Sequence, residues 1–247
     1  MSARDGRDAG RGSRGRAGLR LAAVAAVLLL GAPLARAQED TRDEFWPEID
    51  GFVQLDERTR LFLLGSLAKN ADVDLSEATV GVHADFSLAP IARKWLRDTP
   101  DVLRKRYLSF RVGYRYGWDL TTPREYEEHR LVFEVTGRFA APGRTLLSNR
   151  NRLDLRKVDG ESSWRFRERL RLEKDLALGR RTITPYVMAE VFWDSRYDAW
   201  TRQRYHAGVE WSLAKSAVLD TSYCRQNDSR ASVAHVDAVG LALSLYF

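Results

Sequence analysis

From Tyr107 to Trp118 the chain reads YLSFRVGYRYGW, and its side chains change character at every step. Leu108, Phe110, Val112, Tyr114, Tyr116 and Trp118 share one face, while Ser109, Arg111, Gly113, Arg115 and Gly117 share the other. A period of two belongs to a strand, whose successive side chains point to opposite sides. The alternation returns in Arg130 to Phe139, where Leu131, Phe133, Val135 and Phe139 oppose Arg130, Glu134 and Arg138. It returns in Trp164 to Glu173, with Arg165, Arg167, Arg169, Arg171 and Glu173 on the polar side. A weaker copy runs from Leu147 to Arg156, with Arg150, Arg152, Asp154 and Arg156 opposite the apolar residues. Each segment therefore carries one greasy and one ionic surface.

A soluble antiparallel sheet with one wet face would also alternate. Two features favour a closed transmembrane barrel. The polar faces mix Arg with Glu and Asp on neighbouring segments, as a charge-balanced interior requires. The apolar faces carry aromatics near their ends (Tyr116, Trp118, Trp164, Trp193, Trp211, Tyr246 and Phe247), as at the two interfaces of a bilayer. In lipid every backbone N–H and C=O must be paired inside the protein, so strands can span only as an edgeless barrel. The expected fold is all-β: a closed antiparallel transmembrane β-barrel.

The pattern places strands near 48–56, 60–68, 77–88, 106–117, 128–139, 145–156, 163–173, 182–193, 203–213, 217–225 and 236–247. Turn residues separate several of them: Ala141-Pro142-Gly143, Asp159-Gly160, Leu178-Gly179-Arg180 and Asn227-Asp228-Ser229. Bacterial single-chain barrels have even strand numbers, so the expectation is ten to twelve strands, with twelve preferred. The stretch Ala89 to Lys105 reads as a short helix near 90–98 or as one hidden strand.

Ahead of this lies a leader. Arg4, Arg7, Arg11, Arg14, Arg16 and Arg20 precede the uncharged run Leu21 to Leu30, and Ala35-Arg36-Ala37 offers small residues for cleavage before Gln38. Ten apolar residues are about half the roughly 20 that a spanning helix needs. Residues 1–37 thus read as a cleaved secretory signal peptide and 38–247 as the barrel, exported by the ordinary secretory route to a Gram-negative outer membrane. Taking the leader's seven basic and two acidic residues from totals of 40 and 34 leaves 33 and 32, near neutrality. A nucleic-acid role loses its support. The single cysteine, Cys224, allows no intrachain disulfide.

The chain ends on Val239, Leu241, Leu243, Leu245 and Phe247 along one face, with an aromatic last residue. Leu243, Leu245 and Phe247 resemble the terminal signal read by the barrel-assembly machinery, which would take up this strand by edge pairing. Further stretches resemble the bacterial family known as domain of unknown function 2490, a group of outer-membrane barrels. They are Phe45-Trp46-Pro47-Glu48, the strand Arg165-Phe166-Arg167-Glu168-Arg169-Leu170, Pro185-Tyr186 followed by Glu190-Val191-Phe192, and Arg204 with Gly208. The resemblance spans about 44–247 and implies fold and location. The family has no assigned activity. The long segment between the third and fourth strands departs from its compact pattern.

Chemical motifs are scarce. No phosphate loop, nucleophile elbow or metal-spaced His/Cys cluster occurs, and no cofactor or metal is expected. Of the four histidines, the alternation turns His83 and His206 inward, beside Asp85, Glu210 and Ser212, and leaves His129 facing outward at a strand end without a serine partner in sequence. The stronger signal is the arginine ladder. Arg111, Arg115, Arg130, Arg138, Arg150, Arg152, Arg156, Arg165, Arg167, Arg169 and Arg171 would line one lumen with Glu134, Asp154, Glu173, Glu190 and Glu210. Such an interior is either a salt-bridged plug or a narrow channel favouring anions. Rival readings are a lipid-modifying enzyme, which needs His129 beside an outward serine, and a structural or partner-binding barrel presenting Asp194 to Arg202 as an exposed loop. Outer-membrane lipids are the expected surroundings.

Overall fold

In the computed structural model, the described residues are 41–247 without 71–75, 97–98, 122–125, 180 and 232. The expected leader 1–37, its expected cleavage point and Arg180 of the third expected turn lie outside them. Twelve strands follow in order: Thr41–Gln54 (β1), Thr59–Asn70 (β2), Ser76–Pro90 (β3), Arg106–Asp119 (β4), Glu127–Ala141 (β5), Thr145–Val158 (β6), Glu161–Lys174 (β7), Leu176–Leu178 (β8), Arg181–Asp194 (β9), Ala199–Ala214 (β10), Ala217–Asp228 (β11) and His235–Tyr246 (β12). Between β3 and β4 the segment forms two short 3-10 turns, Lys94–Leu96 and Val102–Lys105, rather than an α-helix or a further strand. Among the described residues no helix is long and apolar enough to cross a membrane.

Neighbouring strands pair in chain order, β9 pairs with β10, and β12 returns to β1, so the sheet closes on itself. Eleven strands are staves. The twelfth, β8, extends the β7 edge: Glu173 faces Tyr186 and Leu176 faces Ile183 in one continuous register on β9. The ladder is interrupted beside Pro185, which has no N–H to give. The strand total of twelve stands, but the even-number rule does not hold for the staves. In an up-and-down circuit of eleven, the first and last strands run the same way. The seam is accordingly parallel, from Thr41 against His235 to Phe52 against Tyr246. Phe247 extends it, donating its N–H to Phe52 O (2.8 Å) and accepting from Gln54 N–H (2.9 Å).

Local chemistry explains the hairpins. Asp159 and Gly160 both have positive φ (50° and 90°) and join β6 to β7 in a two-residue turn, the geometry that matches strand twist. Gly143 and Arg144 (75° and 61°) turn β5 into β6. Two expected turns are shorter than the sequence suggests. Asn227 and Asp228 remain in β11, paired with His235 and Arg202, so the loop begins at Ser229. Likewise Asp194 closes β9 and Ala199 opens β10, leaving only Ser195 to Asp198 as a turn in the stretch that was expected to be an open loop. Cross-strand pairing wins over turn propensity at both places.

The burial pattern is inverted relative to a water-soluble protein. Leu131 (48 % exposed) and Val239 (57 %) face outward, whereas Asp85, Asp154 and Asp194 are fully enclosed. Exposed large apolar residues occur on every stave, from Ile49 on β1 to Val239 on β12, as on the outer face of a transmembrane barrel. Aromatics gather toward the margins of that face, including Trp164 stacked on Trp193 at 4.4 Å. Tyr246 is an exception to the expected girdle. It points inward, stacked 4.9 Å from Phe52, because it shares parity with the inner face of β12.

Candidate functional site

Strand parity delivers the inward side chains, and register decides which of them meet. Fourteen of the sixteen ladder residues named above border an interior cavity of about 840 Å3. Asp154 and Glu190 sit behind its surface, bound by arginines. Arg111 stands opposite Glu134 across β4 and β5, and Glu134 stands opposite Arg152 across β5 and β6. Elsewhere the register sets like charges face to face: Arg115 with Arg130, Arg150 with Arg169, and Arg152 with Arg167. Directly opposed like charges destabilise a sheet, so carboxylates from neighbouring positions must bridge them.

They do so for two of the three pairs, and other arginines are gathered in the same way. Glu190 binds Arg150 (3.3 Å) and Arg169 (3.2 Å). Asp154 binds Arg152 (2.6 Å) and Arg167 (3.2 Å). Asp194 joins Arg156 (3.3 Å) to Arg165 (2.8 Å), and Glu128 takes both Arg130 and Arg156. Asp85 bridges Arg60 (2.8 Å) and Arg111 (2.6 Å). Arg171 reaches Glu173 (2.8 Å) and Glu210. Buried charges persist when they are paired in this way, and removing one partner costs about 3–5 kcal/mol.

One mouth carries a cover. Ile91 N–H bonds Lys105 O (2.6 Å), so the chain leaves the wall at Ile91 and re-enters it at Lys105, at one point. From there Asp101 pairs with Arg60 on β2 (2.7 Å), while Arg104 pairs with Glu173 (2.5 Å) and Asp175 (2.7 Å) at the end of β7. β2 and β7 stand five staves apart in a ring of eleven, close to opposite walls. The segment thus lies across the opening, and Asp101, Leu103 and Arg104 border the cavity. Its apolar side, Ile91 and Leu96 with Trp95, packs on Ala140 and Leu146. Burial pushes the Asp101 carboxyl up, but Arg60, Arg138 and the Leu103 N–H outweigh it and hold the group below the usual value.

Sequence reasoning missed this clamp, and also missed Arg60, Arg202 and Arg204 on the inner faces of β2 and β10. The last three follow the parity of their strands and could have been found by extending the alternation. Arg104 and Asp101 could not, because they lie off the strands. Also unforeseen is an inward aromatic stack, Phe52 on Phe62 at 4.8 Å, with Arg60 over one ring and Arg111 over the other, each at 4.1 Å.

The histidines divide between the faces. His83 is buried against Phe62, and His206 places its Nε2 3.3 Å from Cys224 Sγ. His129 faces outward, bonded to Tyr114 and, at 3.1 Å, to Glu127. It shares an outer groove with Ser162, but Lys157 stands between them in the register and no hydrogen bond joins the two. Among the described residues, His129 is partnered by Tyr114 and Glu127 rather than by a serine of that groove. Leu243, Leu245 and Phe247 lie on the outer side of the seam strand.

The sequence profile described as "Protein of unknown function (DUF2490)" matches residues 91–236. No curated protein matches. Among solved structures, the β domain of the Bordetella autotransporter BrkA is similar at 15 % identity and a TM-score of 0.44, over 79 % of this chain and 84 % of that one.

Proposed function

The chain belongs to the family described as protein of unknown function (DUF2490), and we propose that it is an outer-membrane barrel whose arginine-rich, salt-bridged interior forms a narrow, anion-preferring passage obstructed at one mouth by residues 91–96 and 99–105. The observation that carries this reading is the clamp across the opening, with Asp101 held by Arg60 and Arg104 held by Glu173 and Asp175. An inert filler would need no separate cover, whereas a water-filled passage needs one to limit leakage. The membrane setting is supported by the apolar residues exposed on every stave and by strands of 12 to 16 residues on the long staves, enough for the 9–11 that a tilted spanning strand requires. Export through the leader, cleavage after Ala37, and recognition of Leu243, Leu245 and Phe247 by the assembly machinery belong to the same proposal.

Anion preference follows from the wall formed by β4 to β7, where arginines outnumber carboxylates along the cavity. Fixed cationic walls in a narrow pore favour anions. Planar-bilayer recording of the refolded chain tests this. Small steps with a reversal potential on the anion side are expected, and Arg169→Ala should move that potential toward zero. An absence of steps in both proteins removes the passage, and cation selectivity removes the anion preference.

A further inference from the structure

We propose that the interior contains a built site for a phosphate- or sulfate-like oxyanion, gripped between the guanidinium groups of Arg115 on β4 and Arg152 on β6. This rests on the reading of the interior as an anion-favouring passage and gives that passage one specific stopping point.

The site begins with two glycines. A Cβ at Gly113 would lie 2.3 Å from the His83 ring, and one at Gly81 would lie 2.9 Å from it. Gly113 is the direct cross-strand partner of His83, so its bare backbone leaves the space that the imidazole fills, stacked 4.9 Å from Phe62. In that seat His83 Nε2 lies 3.0 Å from Arg115 Nε. A guanidinium has donors only, so the ring nitrogen accepts and the proton of the neutral imidazole sits on Nδ1. Arg115 is thereby oriented by an uncharged partner. Among the described residues no carboxylate lies within ion-pair distance of it, although Arg111, Arg130, Arg150 and Arg167 all have one.

Arg152 supplies the second half. Its side chain is only 2 % exposed and its Nε is held by Asp154, yet Nη2 has no hydrogen-bond partner. Both arginines border the cavity. Across the sheet Arg115 stands opposite another arginine, Arg130, rather than a carboxylate. Two forked donors suit the several oxygens of a tetrahedral dianion: Arg115, seated by a histidine and without a carboxylate partner, and Arg152, which shares Asp154 with Arg167 and keeps Nη2 unpartnered. Chloride offers no matching directional geometry.

The test uses the full chain refolded in detergent, with the thermal unfolding midpoint followed by tryptophan fluorescence. Inorganic phosphate and sulfate are titrated against sodium chloride at equal ionic strength, with glycerol 3-phosphate in parallel. The expected result is a saturable rise of roughly 3–6 °C with phosphate and sulfate but not chloride. Glycerol 3-phosphate matching phosphate would make the ligand a phosphorylated solute, and phosphate acting alone would make it the free ion. Arg115→Gln and Arg152→Gln should each weaken binding roughly tenfold or more, whereas Arg225→Gln, on the outer face, should leave it unchanged. If Arg152→Gln does not fold, Arg115→Gln still decides, because its amide can donate to His83. An equal response to chloride and phosphate, or undiminished binding in the glutamine variants, overturns the site. A barrel that binds phosphate but passes no current keeps the site and removes the passage; one that conducts anions without a phosphate-specific response does the reverse.

Discussion

Replacing Arg104 with alanine removes the principal anchor of the segment across the mouth. The side chain makes two charge-assisted hydrogen bonds, at 2.5 Å to Glu173 and 2.7 Å to Asp175, and both carboxylates are buried. Stripping one partner from a buried ion pair costs about 3–5 kcal/mol. The lower end applies here. Glu173 retains Arg171 at 2.8 Å, and Asp175 retains the Thr184 hydroxyl at 2.9 Å. A loss of about 3 kcal/mol moves the balance between seated and released segment roughly a hundredfold. Asp101 to Arg60 and the packing of Ile91 and Leu96 still hold the other side, so release is transient rather than complete. Two measurements report it. Limited trypsin digestion at Arg93 and Lys94 should accelerate by about the same hundredfold while opening remains fast relative to cleavage. Single-channel steps in a planar bilayer should become larger and more frequent. A folded Arg104→Ala barrel with wild-type digestion rate and wild-type conductance would show that the ion pairs do not hold the cover.

Acid should act on the other anchor. Because Asp101 is held below its ordinary value, the seated segment binds fewer protons than the released one. Closure is therefore favoured above about pH 3.9, the free aspartate value, and fades as pH falls through the depressed value; conductance steps that stay constant down to pH 3 count against this. Gly113→Ala should destabilise the barrel by about 1–3 kcal/mol through overpacking, because the new methyl meets both the His83 ring and Val82 O at 2.5 Å. A denaturant midpoint equal to wild type would contradict it. Phe133→Arg, at the middle of the outward face of β5, should cost about 2–4 kcal/mol of folding free energy in lipid vesicles, read as lost insertion yield. Equal yields for variant and parent would place that face in water.

The strands were legible because their cause is local. Each of the eleven segments read from alternation coincides with a stave, and Asp159-Gly160 turns where it should because both residues accept positive φ. Boundaries were less legible. Asn227 and Asp228 look like turn residues, yet the β10 and β12 edges bind them into the ladder. The correction from eleven toward an even number came from a general rule about barrels, not from the residues, which already read as eleven.

Taken alone, the order of residues determined that this chain has an apolar and an ionic face, which side chains share each face, and that a closed sheet is the form able to keep them apart. Those properties depend on the two-residue repeat of the extended backbone. The tertiary structure decided the parallel seam, the inward turn of Tyr246, the matching of Arg115 with His83 rather than with a carboxylate, and the cover formed by Asp101 and Arg104. These depend on register around a ring and on where an irregular segment comes to rest. Neither is encoded by periodicity, since contacts between residues as distant as Arg104 and Asp175 form only once the circuit is closed.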